Sequence, residues 1–212
     1  VSKRNGLTTR GNLVAAAAEI FDRDGFAGTS LHEVCARAEV SKGALYCHFP
    51  SKSALAVAVI ERQSMLWHEV KHDTCARGTS PVQALVDLSF EIAERMRIDP
   101  VIRAGCRLVL DAELFDVAAA GQFAGCVMVV RDLLIAAERA GELVPGANVR
   151  EAAEGIVAEL IGTQLLAQAM TGECQLLTRL PAIWRVRLRG LVREHVLAGL
   201  CVDRHPVAAW RI

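Results

Sequence analysis

Apolar residues in this chain recur every three or four positions in nearly every segment, and no stretch sustains a two-residue alternation, so helices must build its core. A first helix runs from Thr8 or Thr9 to about Asp24, with Leu13, Ala17, Ile20 and Phe21 on one face and Gly25 as its stop. Thr29 then caps "TSLHEVCARA", where Leu31, Val34, Cys35 and Ala38 form a buried side and Glu33 is placed to close the first turn. Ser41 caps a two-turn helix, "SKGALYCHF". Pro50 ends it, and Ser51 starts a long helix over 51–76. Gly78-Thr79-Ser80-Pro81 is the strongest punctuation, with Pro81 in the first turn of a helix to about Met96. Asp99-Pro100 opens a further helix, and residues 112–140 hold one or two more. Asn148 caps a helix to about Met170, and Pro181 opens the last, to about 199.

A length of 212 residues suits one sizeable core, or a small module beside a larger domain. Seven cysteines (35, 47, 75, 106, 126, 174, 201) are odd in number, lack a C-x-x-C pair and mostly sit in apolar runs, which reads as reduced core residues of a cytoplasmic protein. No apolar leader region follows "VSKRNGL", and no uninterrupted apolar run reaches the roughly 18 residues of a membrane span. A soluble, membrane-free protein is expected. The formal net charge is zero, so partners must be argued from charge distribution. Lys3, Arg4, Arg10, Arg23, Lys42 and Lys52 crowd the first quarter, where Glu19, Asp22, Asp24, Glu33 and Glu39 can be held on another face.

Residues 29–49 have the dimensions of a helix-turn-helix, with its tight link at Glu39-Val40. Such a unit offers the second helix's N-terminal residues to a major groove about 12 Å wide. Gly43 and Ala44 let the backbone approach base edges, and Lys42 reaches a guanine acceptor or a phosphate. Ser41 and the free first-turn N–H groups suit a phosphate oxygen, and Tyr46 and His48 can donate to others. Lys52 sits in a first turn, where the helix dipole favours anions; a phosphate contact would explain it. The competing reading is an ordinary core helix with Leu45 and Phe49 inside and its polar residues merely solvated. Spacing alone does not separate the two.

The stretch "VAAAAEIFDRDGFAGTSLHEVCARAEVSKGALYCHFPSKSALAVAVIE" resembles the DNA-binding region of TetR-family transcriptional repressors, ungapped over about fifty residues. The resemblance rests on Phe21, Gly25-Phe26, Thr29-Ser30-Leu31, the run Val40 to Tyr46, His48-Phe49 and Lys52. It implies an all-α fold with two domains. Residues 1–52 would be a three-helix helix-turn-helix DNA-binding domain and 53–212 a larger helical ligand-binding and dimerisation domain, with helix 51–76 connecting them. It also implies backbone contacts from Thr29 or Ser30, Ser41, Tyr46, His48 and Lys52, with Lys42, Gly43 and Ala44 nearest the bases. Cys47 departs from the pattern, since many relatives carry an aromatic residue there.

Within the family, "SPVQALVDLSF", "DPVIRAGCRLVLD" and "IGTQLL" are similar to the γ-butyrolactone receptors of Streptomyces, which release DNA on sensing lactone, butenolide or furan signals or antibiotics. The resemblance implies a small-molecule inducer, with Gln63 and Thr163 at polar ligand-contacting positions. These receptors usually carry a pocket tryptophan where this chain has "QFAGCVMV". An apolar sensor pocket with few polar anchors would draw on Gln63, Trp67, Phe90, Phe123, Met128 and Thr163; core packing is the plain alternative for each. A homodimer through helices of about 149–170 and 181–199 on pseudo-palindromic double-stranded operator DNA is implied, in a cytoplasmic, nucleoid-associated protein with no cofactor.

"HEVKH" at 68–72 matches the H-E-x-x-H pattern of zinc hydrolases, in which His68 and His72 would hold metal and Glu69 would act as base. Glu91 or Glu94 is the nominee for third ligand. The motif falls near the end of the connector, which disfavours an enzyme. A helical interaction protein without DNA binding is the third reading.

Overall fold

The computed structural model describes the backbone of residues 2–110, 112–171 and 175–203, and the side chains of 8–110, 120–170 and 175–203. The side chains of Lys3 and Arg4, and Cys174 entirely, lie outside the described residues. Every regular element described is a helix: α1 (Ser2–Gly28), α2 (Leu31–Arg37), α3 (Lys42–His48), α4 (Lys52–Cys75), α5 (Pro81–Ile98), α6 (Pro100–Leu110), α7 (Ala112–Arg139), α8 (Val149–Thr171), α9 (Leu176–Arg189) and α10 (Glu194–Leu197). They form two compact units. The first takes its residues from Val1–Leu66 and Ile98–Phe123, the second from Trp67–Arg97 and Ala124–Ile212. This division by packing cuts α4 at Leu66 and draws α6 into the first unit.

In the first unit α1 packs along α6. Leu13, Ala17, Phe21, Val34, Leu45, Phe49, Leu55, Val59, Ala104 and Leu108 share one buried core. Full burial of each large side chain there contributes about 1.5–3 kcal/mol before entropy is counted. The helix starts at Ser2, ahead of the expected Thr8 or Thr9, so neither threonine is its cap. Gly25 breaks the helical path as expected, at φ 72 and ψ 178, a conformation open to glycine almost alone. Residues 26–28 add one more turn beyond the kink.

The second unit buries Leu85, Phe90, Leu134, Ile156, Leu180, Trp184 and Leu188. The Trp184 indole nitrogen donates to the Ser89 hydroxyl at 2.7 Å, which satisfies its buried N–H. The carboxylate of Glu142 accepts from the Val82 amide at 2.9 Å and closes the start of α5. Residues 112–139 form one helix, the shorter of the two counts expected. Its stretch Ala120–Arg139 is long and apolar enough to cross a membrane by composition. Arg131 and Asp132 interrupt it, and Val129, Val130, Leu133, Leu134 and Ala137 are buried inside the unit.

The last helix differs from the expected 181–199. In its place α9 begins at Leu176, carries Pro181 in its interior and ends at Arg189 with Gly190 as its cap, and the short α10 follows. Leu191 to Arg193 then pair with residues 142–144: Val144 N–H donates to Leu191 C=O (3.0 Å) and Arg193 N–H to Glu142 C=O (2.9 Å). That pairing gives the backbone the partners a continued helix would have supplied. Ile156, Val157, Trp184, Leu188, Leu191 and Val192 are buried within the unit, whereas Leu165, Leu166, Met170 and Val186 stay exposed.

Candidate nucleic-acid interface and sensor residues

The link between α2 and α3 is a close turn made without glycine. Glu39 takes φ 56. The Val40 amide donates to Cys35 C=O (3.0 Å) and the Glu39 amide to Ala36 C=O (3.3 Å), the two bonds of a Schellman ending. This fixes where α3 begins. Ser41 caps it as expected, its hydroxyl accepting from Ala44 N–H at 3.2 Å. Leu45 and Phe49 face the core, while Ser41, Lys42, Gly43 and Tyr46 are exposed and Ala44 and His48 are half-buried. Cys47 is exposed, so the absent aromatic leaves no hole in the core.

Most acidic residues of the first quarter are neutralised. Asp24 and Glu33 both meet the Arg23 guanidinium, at 2.6 and 2.5 Å. Hydrogen bonding from Arg23 holds the Asp24 carboxyl below its ordinary value. Glu19 pairs with Arg37 at 2.7 Å, and Asp22 with Arg103 at 2.7 Å. Lys42 carries no such partner among the described residues.

Two expected roles change. Thr29 is not the cap of α2: Ser30 is, accepting from His32 N–H at 3.2 Å. Thr29 is 4 % exposed, and its hydroxyl donates inward to Gly25 C=O at 2.7 Å, so Ser30 is the member of that pair on the surface. Lys52 also points inward. Its ammonium donates to the carbonyls of Phe26 (2.8 Å), Thr29 (3.0 Å) and Ala27 (3.3 Å), and lies 4.7 Å from the centroid of the Phe26 ring. Carbonyls left at the end of α1 hold this first-turn ammonium where a phosphate was expected. Glu33, expected to close the first turn of α2, is engaged by Arg23.

The sensor candidates divide between the units. In the first, Gln63 is 1 % exposed and donates to Ile102 C=O (3.3 Å) and Cys106 Sγ (2.9 Å), while Phe123 packs against the core. In the second, Phe90 is buried, Trp67 and Thr163 are half-buried, and Met128 is 51 % exposed. Among the described residues, the buried side-chain polar atoms without a hydrogen-bond partner are Gln63 Oε1 and Trp67 Nε1. Unpaired buried groups of this kind call for a reason, and a bound molecule is one.

Sequence reasoning missed several polar residues of the first unit. The Asp22 carboxylate holds Arg103, Arg107 donates to Asp22 C=O at 2.9 Å, and the Ser64 hydroxyl meets Gln122 Oε1. Arg103 and Arg107, one turn apart on an otherwise apolar α6, were the available signal. For "HEVKH", His68 and His72 are exposed, and no group of three metal-binding side chains forms among the described residues. The nominated third ligands are engaged elsewhere: Glu91 with Arg77 at 2.7 Å and Glu94 with Arg97 at 2.6 Å.

A buried scaffold that presents a capped, polar-faced helix after a tight turn defines a helix-turn-helix regulator. Residues 13–59 match the family model "Bacterial regulatory proteins, tetR family", and residues 79–193 match "Tetracyclin repressor-like, C-terminal domain". The chain belongs to the TetR family of bacterial regulatory proteins. The A-factor receptor protein of Streptomyces griseus is 30% identical over 89% of this chain, which spans 66% of that relative's length. A crystal structure of a gamma-butyrolactone receptor (ArpA-like protein) is 30% identical with a TM-score of 0.71, covering 93% of this chain and 94% of that one. The TetR-family protein CprB of Streptomyces coelicolor, solved in complex with its biological operator sequence, is 31% identical with a TM-score of 0.73 over 92% of this chain and 94% of that one.

Proposed function

We propose that this chain is a ligand-responsive transcriptional repressor that binds a pseudo-palindromic operator as a homodimer and is released by a small, mostly apolar signalling molecule of the butyrolactone or antibiotic kind. The observation that carries the DNA reading is α3, whose exposed Ser41, Lys42, Gly43 and Tyr46 stand outside a core fixed by Leu45 and Phe49. In this reading Lys42, Gly43 and Ala44 lie nearest the bases, and Ser30, Ser41, Tyr46 and His48 meet the backbone. Zero net charge is no obstacle when the nearby acids are already paired and Lys42 is not.

Dimerisation is supported by the apolar surface that the second unit leaves uncovered, Leu165, Leu166 and Met170 on α8 and Val186 on α9. Two-fold pairing would set half-sites about one helical turn apart. A sensed molecule is supported by the unpaired amide oxygen of Gln63. It acts only through different affinities for two states, and clearing an operator requires roughly 5 kcal/mol of such difference. The protein works in the cytoplasm on the nucleoid, and no catalytic step is assigned to "HEVKH".

Selection of bound duplexes from random DNA tests this, followed by a screen for compounds that release them. Recovery of one pseudo-palindrome, bound with a steep loss of affinity as salt rises, is the expected result. Recovery of no common sequence would return the chain to the reading of a helical interaction protein.

A further inference from the structure

We propose that Lys52 is a positioning residue for operator binding: it fixes the corner between α1 and α2 through backbone carbonyls and does not itself meet DNA. The proposal rests on the DNA-binding reading above. A lysine ammonium has three N–H donors and no acceptor. Here three carbonyl oxygens surround it, those of Phe26, Thr29 and Ala27 at 2.8, 3.0 and 3.3 Å, so a phosphate would have to displace a bond already made.

What Lys52 grips is the entry to the DNA-facing helices. Thr29, whose carbonyl it holds, precedes Ser30, the cap of α2. The closed turn at Glu39 then passes the placement of α2 to α3. The corner is gripped from other directions too: Thr29 donates its hydroxyl to Gly25 C=O (2.7 Å), and Arg107 donates to Asp22 C=O (2.9 Å). The Phe26 ring beneath the ammonium adds a cation–π contact on a half-buried side chain. A residue so placed governs how many correctly set helices are available to DNA, and leaves the count of phosphate contacts alone.

The test measures operator affinity against salt for the full-length unaltered protein, Lys52→Met, Lys52→Arg and Lys42→Met, with the duplex the unaltered protein selects from random DNA as probe. Amide hydrogen exchange is followed without DNA at Thr29, whose N–H donates to Phe26 C=O at 3.3 Å. Lys52→Met is expected to weaken binding about tenfold at every salt concentration, with the salt slope unchanged and Thr29 exchanging about tenfold faster. Lys42→Met is expected to flatten the slope by about one. Lys52→Arg is not expected to restore affinity, because a planar fork does not direct three donors around one point. It also keeps the test open should Lys52→Met fail to fold. A slope reduced by about one in Lys52→Met, full affinity in Lys52→Arg, or unchanged exchange at Thr29 overturns the proposal. If no duplex is selected at all, the repressor reading fails on its own, and exchange at Thr29 still decides the clamp.

Discussion

Ser41-Lys42-Gly43-Ala44-Leu45 and Ser51-Lys52-Ser53-Ala54-Leu55 are nearly the same pentapeptide, and they meet opposite fates. Each serine caps a helix by accepting from the alanine amide three residues on, at 3.2 Å for Ser41 and 3.0 Å for Ser51. Each lysine opens its helix, and each leucine is fully buried. Yet Lys42 stands exposed while Lys52 is held by three carbonyls. The difference comes from a neighbour more than twenty residues away in the chain: only α4 begins beside the broken end of α1, where carbonyls lack helical partners. Local sequence sets the cap and the buried leucine. Tertiary placement decides what the charge is for.

The largest effect expected from breaking this contrast is on the exposed side. Replacing Lys42 with methionine should cost about tenfold to hundredfold in operator affinity, measured by fluorescence anisotropy, with the melting temperature unchanged. A fall in melting temperature instead would make Lys42 a second structural lysine. Next comes the corner that supplies the carbonyls. Gly25→Ala forces a side chain into a glycine conformation and toward the Arg107 guanidinium, 3.0 Å away, and should destabilise the protein by about 1–3 kcal/mol in urea unfolding. An unaltered midpoint would show that the corner relaxes freely.

The caps provide the control. Ser41→Ala and Ser51→Ala should each cost about 1 kcal/mol of stability by thermal denaturation, since the two bonds are alike. A marked inequality would mean that the pentapeptides already differ locally. Smallest is the titration of Asp24 beside the corner. Arg23 lowers its folded pKa, so the stabilisation from that pair is present above the unfolded value and lost as pH falls through the folded one. Arg23→Gln should move the Asp24 carbon resonances to titrate at higher pH, and an unmoved midpoint would remove Arg23 as the cause.

The residues that sequence reading placed well are those whose partners are near in the chain. Gly25, Ser41, Pro50-Ser51 and Pro81 act within one turn, and each marks a boundary close to where the chain has it. Ser30 is the cap, accepting from His32 N–H, while the Thr29 hydroxyl donates inward to Gly25 C=O, a difference one residue wide that spacing does not resolve. The last helix ended early for a longer-range reason. Residues 142–144 offered backbone bonds at 191–193, which helix periodicity in "LRGLVREHVLAGL" does not reveal. In the candidate sites, the cap and buried residues of α3 were legible from local spacing, whereas its DNA-facing reading came from the family resemblance. Lys52, Arg103 and Arg107 were not legible, because their acceptors lie between 23 and 85 positions away. Gln63 was named for its likeness to ligand-contacting positions, and the unpaired oxygen came only from its docking against α6.

That docking binds two distant sites in heredity. A Cβ on Gly105 would overlap the side-chain amide of Gln63, already buried against it. A descendant can therefore enlarge residue 105 only after shortening or turning aside residue 63. A change at residue 63 and the loss of the glycine at 105 would therefore be inherited in that order, as one linked history.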